Sequence, residues 1–118
     1  MNGEKLQALS TDSSLWPEDA DAPSAWVMQM AENIFHQLAD EKLVPTEIVA
    51  SAEGGVAFCF VAGDKYADIE CLNSGNLLGV ITNRSDRPIV WEIDQSTTGI
   101  TQACEKISQF LNPPPANK

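Results

Sequence analysis

Basic residues are scarce in this sequence. Seven Lys and Arg stand against seventeen Asp and Glu, and with one histidine the net charge is -10. Direct binding to DNA or RNA rests on Lys and Arg set against phosphates, so no direct nucleic-acid contact is expected, and an anionic membrane would repel this surface. Long apolar runs are missing too: "GVAFCFVAG" falls far short of the roughly 20 residues of a membrane-spanning helix. The opening residues, "MNGEKLQALSTDSS", hold no apolar stretch of the secretory-signal type. Cysteine is limited to Cys59, Cys71 and Cys104. An odd number without CxxC spacing argues against a disulfide framework and against a zinc site. Buried free thiols in a reducing, cytoplasmic setting are the expectation.

Recognisable catalytic and cofactor motifs are also missing. The chain holds no GxGxxG, Walker lysine, GxSxG, HExxH, kinase or EF-hand pattern. The glycines of "EGGV" and "NSGN" read as hairpin turns. His36, the lone histidine, sits beside Phe35 at the border of an apolar helical stripe. A Cys–His nucleophile would need a cysteine brought to it and a third group to orient the imidazole, which nothing in the sequence arranges. The expectation is a protein without enzymatic activity, cofactor or metal.

What is present is enough for one core. A chain of 118 residues has the size of a single domain and can bury roughly two-thirds of its unfolded surface. Residues 1–22 read as a flexible acidic arm. Within it, "STDSSLWPEDADAP" is polar and proline-containing, with Leu15 and Trp16 as an apolar pair that either docks a partner or packs back on the domain. Residues 23–112 form the domain, and "NPPPANK" starts a loose tail over 113–118.

Inside the domain the apolar period changes twice. Val27, Met30, Ala31, Ile34 and Leu38 recur at helical spacing, which predicts a helix over 23–43, opened by Pro23 and closed before Pro45. From 46 to 95 the period is two, and five strands are expected: "TEIVASAE", "VAFCFVA", "KYADIECL", "LLGVITN" and "IVWEID". The second is apolar on both faces, as a strand covered on both sides would be. Connections of about two to five residues are too short for parallel crossovers, so the sheet is an antiparallel meander. Ile100, Ala103, Cys104, Ile107, Phe110 and Leu111 then mark a second helix over 97–111, capped by Ser96 or Thr97. Helix, five strands, helix makes a two-layer α+β sandwich.

Two strands carry alternating acids. Period two puts Asp68 and Glu70 on one face of the third strand, and Glu92 and Asp94 on the same face of the fifth. With one strand between them the pairs stand about 9 to 10 Å apart. That is too wide for one cation, whose oxygen ligands sit at about 2.0 to 2.6 Å. The pattern marks either a solvated outer face or a docking face for a cationic partner, with Tyr66 and Trp16 as apolar anchors beside the four acids.

The stretch "VASAEGGVAFCFVAGDKYADIECLNSGNLLGVITN" resembles a pattern of short bacterial proteins without an assigned function. The "ASAEGG" turn, the "GDKYADIE" strand and a later "VWEI"-like strand carry the likeness, which covers roughly residues 45 to 94 and leaves out the acidic arm. It implies a bacterial or phage origin and a compact α+β domain. It brings no active site to carry over.

Three functional readings follow. In the first, the chain is a small acidic interaction module that neutralises or regulates a basic protein, as antitoxins, immunity proteins and phage-encoded inhibitors do. In the second, it is an enzyme or small-ligand protein with a pocket between helices and sheet, its chemistry supplied by Cys59, Cys71, Cys104 and His36 if they converge. In the third, its carboxylates mimic nucleic-acid phosphates. Self-association through a free sheet edge is open beside all three.

Overall fold

The computed structural model describes residues 22–51, 54–83, 85 and 87–112. The expected arm, with Leu15 and Trp16, and the tail lie outside them, apart from Ala22.

The first helix, α1 (Ala25–Asp40), starts where Ser24 accepts the Val27 N–H at 3.1 Å, satisfying one of the free donors of a helix start. Asn73 pins this start: its Oδ1 accepts the Ser24 N–H at 2.9 Å and its Nδ2 donates to the Ala22 carbonyl at 2.9 Å. The helix is shorter than its apolar pattern predicts. Lys42 turns left-handed (φ 58), the Leu43 N–H reaches back to the Leu38 carbonyl, and the Lys42 N–H to that of Ala39. This is a Schellman-type stop, in place before Pro45 is reached.

Five strands follow: β1 (Glu47–Ala50), β2 (Gly55–Ala62), β3 (Lys65–Leu72), β4 (Leu77–Thr82) and β5 (Ile89–Glu92). They lie in one sheet in the order β1-β2-β3-β4-β5, every pair antiparallel, which is the expected meander. The outer strands are shorter than the alternation suggested, four residues each. The second helix, α2 (Thr97–Leu111), is capped by Ser96, whose Oγ accepts the Gly99 N–H at 3.0 Å. A Cβ at Gly99 would stand 2.2 Å from the Asp94 carbonyl oxygen, so only glycine lets the helix start this close to the end of β5.

Both helices cover the same side of the sheet. α1 packs over β2 and β3, and α2 over β3 and β4. Gln37 on α1 ties them together by donating to the Thr97 carbonyl at 3.0 Å and to the Thr101 hydroxyl. Under them runs the core: Ile48, Val56, Phe58, Phe60, Ile69, Cys71 and Leu77 from the sheet, with Val27, Ile34, Leu38, Ile100 and Ile107 from the helices. At β5 this cover thins. Trp91 lies across Gly79, where a Cβ would stand 2.5 Å from the indole ring, and the Lys106 ammonium sits 4.1 Å from the ring centroid. Ile89 has the parity of the covered side but is 53% exposed, because it starts the edge strand and meets Phe110 of α2 only across a small hollow.

Candidate functional site

The register fixes what the uncovered side of the sheet displays. One row across all five strands is Val49, Ala57, Glu70, Leu78 and Glu92. The next is Glu47, Cys59, Asp68, Val80 and Val90. Tyr66 follows, between Val61 and Thr82. None of these positions is a lysine or arginine.

The described bases lie elsewhere. Lys65 has the parity of the helix side and donates to the Phe110 carbonyl at 3.0 Å. Lys106 rests on Trp91. Arg87 lines a small hollow with Ile81, Ile89 and Phe110. Lys42 follows α1. The open face thus carries acids with small apolar residues and no described base, whereas at the helices and their rims the bases lie among further acids, Glu32, Asp40, Glu41 and Glu105.

A concavity of about 350 Å³ lies on the open face over β1, β2 and β3, lined by Val49, Ala50, Ser51, Ala57, Cys59, Tyr66, Asp68 and Glu70. Its polar groups are bonded to one another. The Tyr66 hydroxyl donates to Asp68 Oδ2 at 2.8 Å, and Cys59 Sγ lies 3.4 Å from the same hydroxyl. A phenol has one hydrogen to give, and the carboxylate is the stronger acceptor. Ser51 Oγ donates to Glu70 Oε1 at 3.0 Å. Burial holds the Tyr66 hydroxyl well above its ordinary range, reinforced by Cys59 and Asp68. Burial also raises the Cys59 thiol, and the nearby Asp68, Glu47 and Glu70 add to this against the opposing contact with Tyr66. Both groups therefore stay protonated at neutral pH.

The four acids singled out in the sequence do not form one uniform patch. Asp68 is only 5% exposed; it holds Tyr66 in place. Glu70 is half-buried and anchored by Ser51. Glu92 is exposed and shares a row with Glu70 across Leu78, two strand spacings or about 9.6 Å away. Asp94 lies past the end of β5, where its Oδ1 accepts the Ser96 N–H at 3.3 Å and its Oδ2 the Ser96 hydroxyl at 3.1 Å. It shapes the corner into α2. Trp16 falls outside the described residues. Glu47 and Ser51, absent from the sequence-based set, belong to this face. Glu47 has the parity of a surface strand position, but an isolated acid in "TEIVA" gives no sign of pairing with Cys59 and, through it, with Asp68.

The thiols and the histidine do not converge. Cys59 is on the open face, while Cys71 and Cys104 are in the core beneath the helices. All three are free and buried. His36 is exposed on α1 with an edge contact to Phe35. It borders a groove of about 460 Å³ between the helices, together with Gln37, Asp40, Gln95, Thr97 and Thr101. No cysteine among the described residues pairs with His36. Among the described residues, no three His, Cys, Asp or Glu side chains gather as metal ligands, and no helix is long and apolar enough to cross a membrane. Compared with protein-family models, curated proteins and solved structures, the chain matches none of them.

Proposed function

We propose that this chain is a small acidic interaction module that binds a basic protein through the open face of its sheet and thereby neutralises or regulates it. The observation that carries this reading is an open face that holds acids and no described base. Glu47, Asp68, Glu70 and Glu92 share a face on which no described strand position is basic, in a chain with net charge -10. Such a surface steers a cationic partner and repels acidic ones. The apolar residues between the acids, Val49, Leu78 and Val80, favour a protein surface that carries apolar as well as basic groups. They speak against a phosphate mimic, which needs carboxylates in an unbroken stripe. Three free, buried thiols support action in a reducing, cytoplasmic compartment.

The test separates exposed charge from buried scaffold. Asp68 stays untouched, because reversing a buried acid would damage the fold. Glu47→Lys with Glu92→Lys alters only exposed groups, and circular dichroism should be unchanged. A basic protein retained from host extract by the native chain should be released as salt rises and should not bind the double variant. Equal retention by both, at every salt concentration, would remove the open face from the interaction.

A further inference from the structure

The edge of the sheet at β5 carries a separate inference. The Ile93 N–H donates to the Leu77 carbonyl at 2.7 Å, which makes residues 77 and 93 a hydrogen-bonded pair. Such pairs alternate along an antiparallel ladder. With the register of β4 and β5, Trp91 and Ile89 therefore bond to β4, while the N–H and C=O groups of Val90 and Glu92 point away from it. Among the described residues nothing pairs with this side of β5. Its side chains are unusually apolar for an edge: Ile89 is 53% and Val90 58% exposed.

We propose that β5 pairs with β5 of a second copy, antiparallel and centred on Trp91, to join two five-stranded sheets into one. A second copy offers the same outward groups in reverse order, and backbone complementarity then fixes the register. Centring on Trp91 sets Val90 opposite Glu92 of the other copy, and Glu92 opposite its Val90. Every outward N–H and C=O of these two residues then has a partner, in four hydrogen bonds. Centring on Val90 sets Glu92 against Pro88, which has no N–H to give, and leaves the Glu92 carbonyl unpaired. Centring on Glu92 sets two carboxylates directly against each other, which is unfavourable.

Antiparallel pairing of two copies also matches charge at the ends of the edge. The chain enters β5 from Arg87 and leaves it toward Asp94, so antiparallel pairing turns the Arg87 end of one copy's edge toward the Asp94 end of the other's. On the helix side the two Trp91 residues stand opposite each other at a non-hydrogen-bonded position, each ring turned back over Gly79 of its own sheet and so clear of the new pairing.

Sedimentation equilibrium on the full chain, up to millimolar concentration, should show a monomer–dimer equilibrium that tightens as salt rises, because each copy carries a net charge of -10 that salt screens. This is the opposite sign to the salt response of the basic partner proposed above, so failure of one reading is distinguishable from failure of the other. Val90→Pro, on an edge strand, where a sheet tolerates proline, removes an N–H that points away from β4 and breaks no bond of the existing ladder. It should weaken dimerisation about tenfold or more with an unchanged circular dichroism spectrum. A monomer at every concentration and salt, or a folded Val90→Pro chain that dimerises as tightly as the native one, would overturn the proposal.

Oxidative crosslinking tests the register without relying on that variant. Opposed residues of a hydrogen-bonded pair lie about 5.5 Å apart at Cα, within disulfide range. Chains with Val90→Cys mixed with chains with Glu92→Cys should crosslink, and neither should crosslink with itself. Self-crosslinking of Val90→Cys without the mixed product would overturn the pairing.

Discussion

The row Ile48, Phe58, Ile69, Gly79 and Trp91 faces the helices, and the neighbouring row Val49, Ala57, Glu70, Leu78 and Glu92 faces away from them. The five strands are the same; the surfaces differ because successive side chains alternate. The covered side is a continuous apolar floor. The open side sets an acid on β3 and on β5, with small or branched apolar residues between. β2 contributes nonpolar residues to both rows, and β3 carries nearly the whole contrast, with Ala67, Ile69 and Cys71 turned to the core and Tyr66, Asp68 and Glu70 turned out. Stability should therefore reside on one side of the sheet and recognition on the other.

The largest expected effect tests that division through neighbours on β2. Phe58 is 0% exposed beneath the helices, and Phe58→Ala should destabilise the protein by about 3 to 5 kcal/mol, the transfer term plus that of the cavity left behind. Cys59→Ala, one residue along and on the open face, removes only a sulfur and should stay below about 1.5 kcal/mol. Urea unfolding monitored by circular dichroism measures both. Equal losses would show that the open side is as much core as the covered one.

A middle-sized effect should sharpen the picture of the open face. Tyr66→Phe deletes the hydroxyl that donates to Asp68 and should lower stability by about 1 to 3 kcal/mol, the range for hydrogen bonds that end on a carboxylate or are left unmade when buried. Combined with Asp68→Asn in a double-mutant cycle, the two changes should be coupled by about 0.5 to 3 kcal/mol. Additive effects would mean that Tyr66 and Asp68 act independently, and that the acid is not held by the phenol.

Much of this arrangement is written in the alternation of the sequence. β3 reads polar and apolar by turns, so its faces are assigned without a structure, and the short turns force neighbouring strands to be antiparallel. The limits of β1 and β5 are less legible, because strand length is decided by how far pairing with the neighbour continues, not by the apolar pattern alone. The burial of Asp68 is not legible at all. An acid at an outward position predicts exposure; only the register, which surrounds Asp68 with Cys59, Val80 and Tyr66, shows it enclosed. Asp94 misleads in a similar way: period two extends the outer face to it, but the chain has already left the strand and uses that carboxylate to bond Ser96 at the turn into α2.

The smallest effect at neutral pH concerns the thiols of the covered side. Burial pushes Cys71 up to about 12 and Cys104 up to about 11, from an ordinary value of 9.0. Raised values mean that the folded state holds these protons more tightly than the unfolded chain does. The stability linked to them is complete below about pH 9 and is lost as the pH rises through 9 toward 11 and 12. Unfolding free energy should therefore fall more steeply above pH 9 in the native protein than in a Cys71→Ala, Cys104→Ala variant, which starts lower at neutral pH but has no buried thiol left to ionise on that side. Urea titrations at neutral and alkaline pH measure the two slopes. Parallel slopes would mean that the core admits thiolate, or the water that solvates it, and the contrast between a sealed covered side and a wetter open one would then have to be given up.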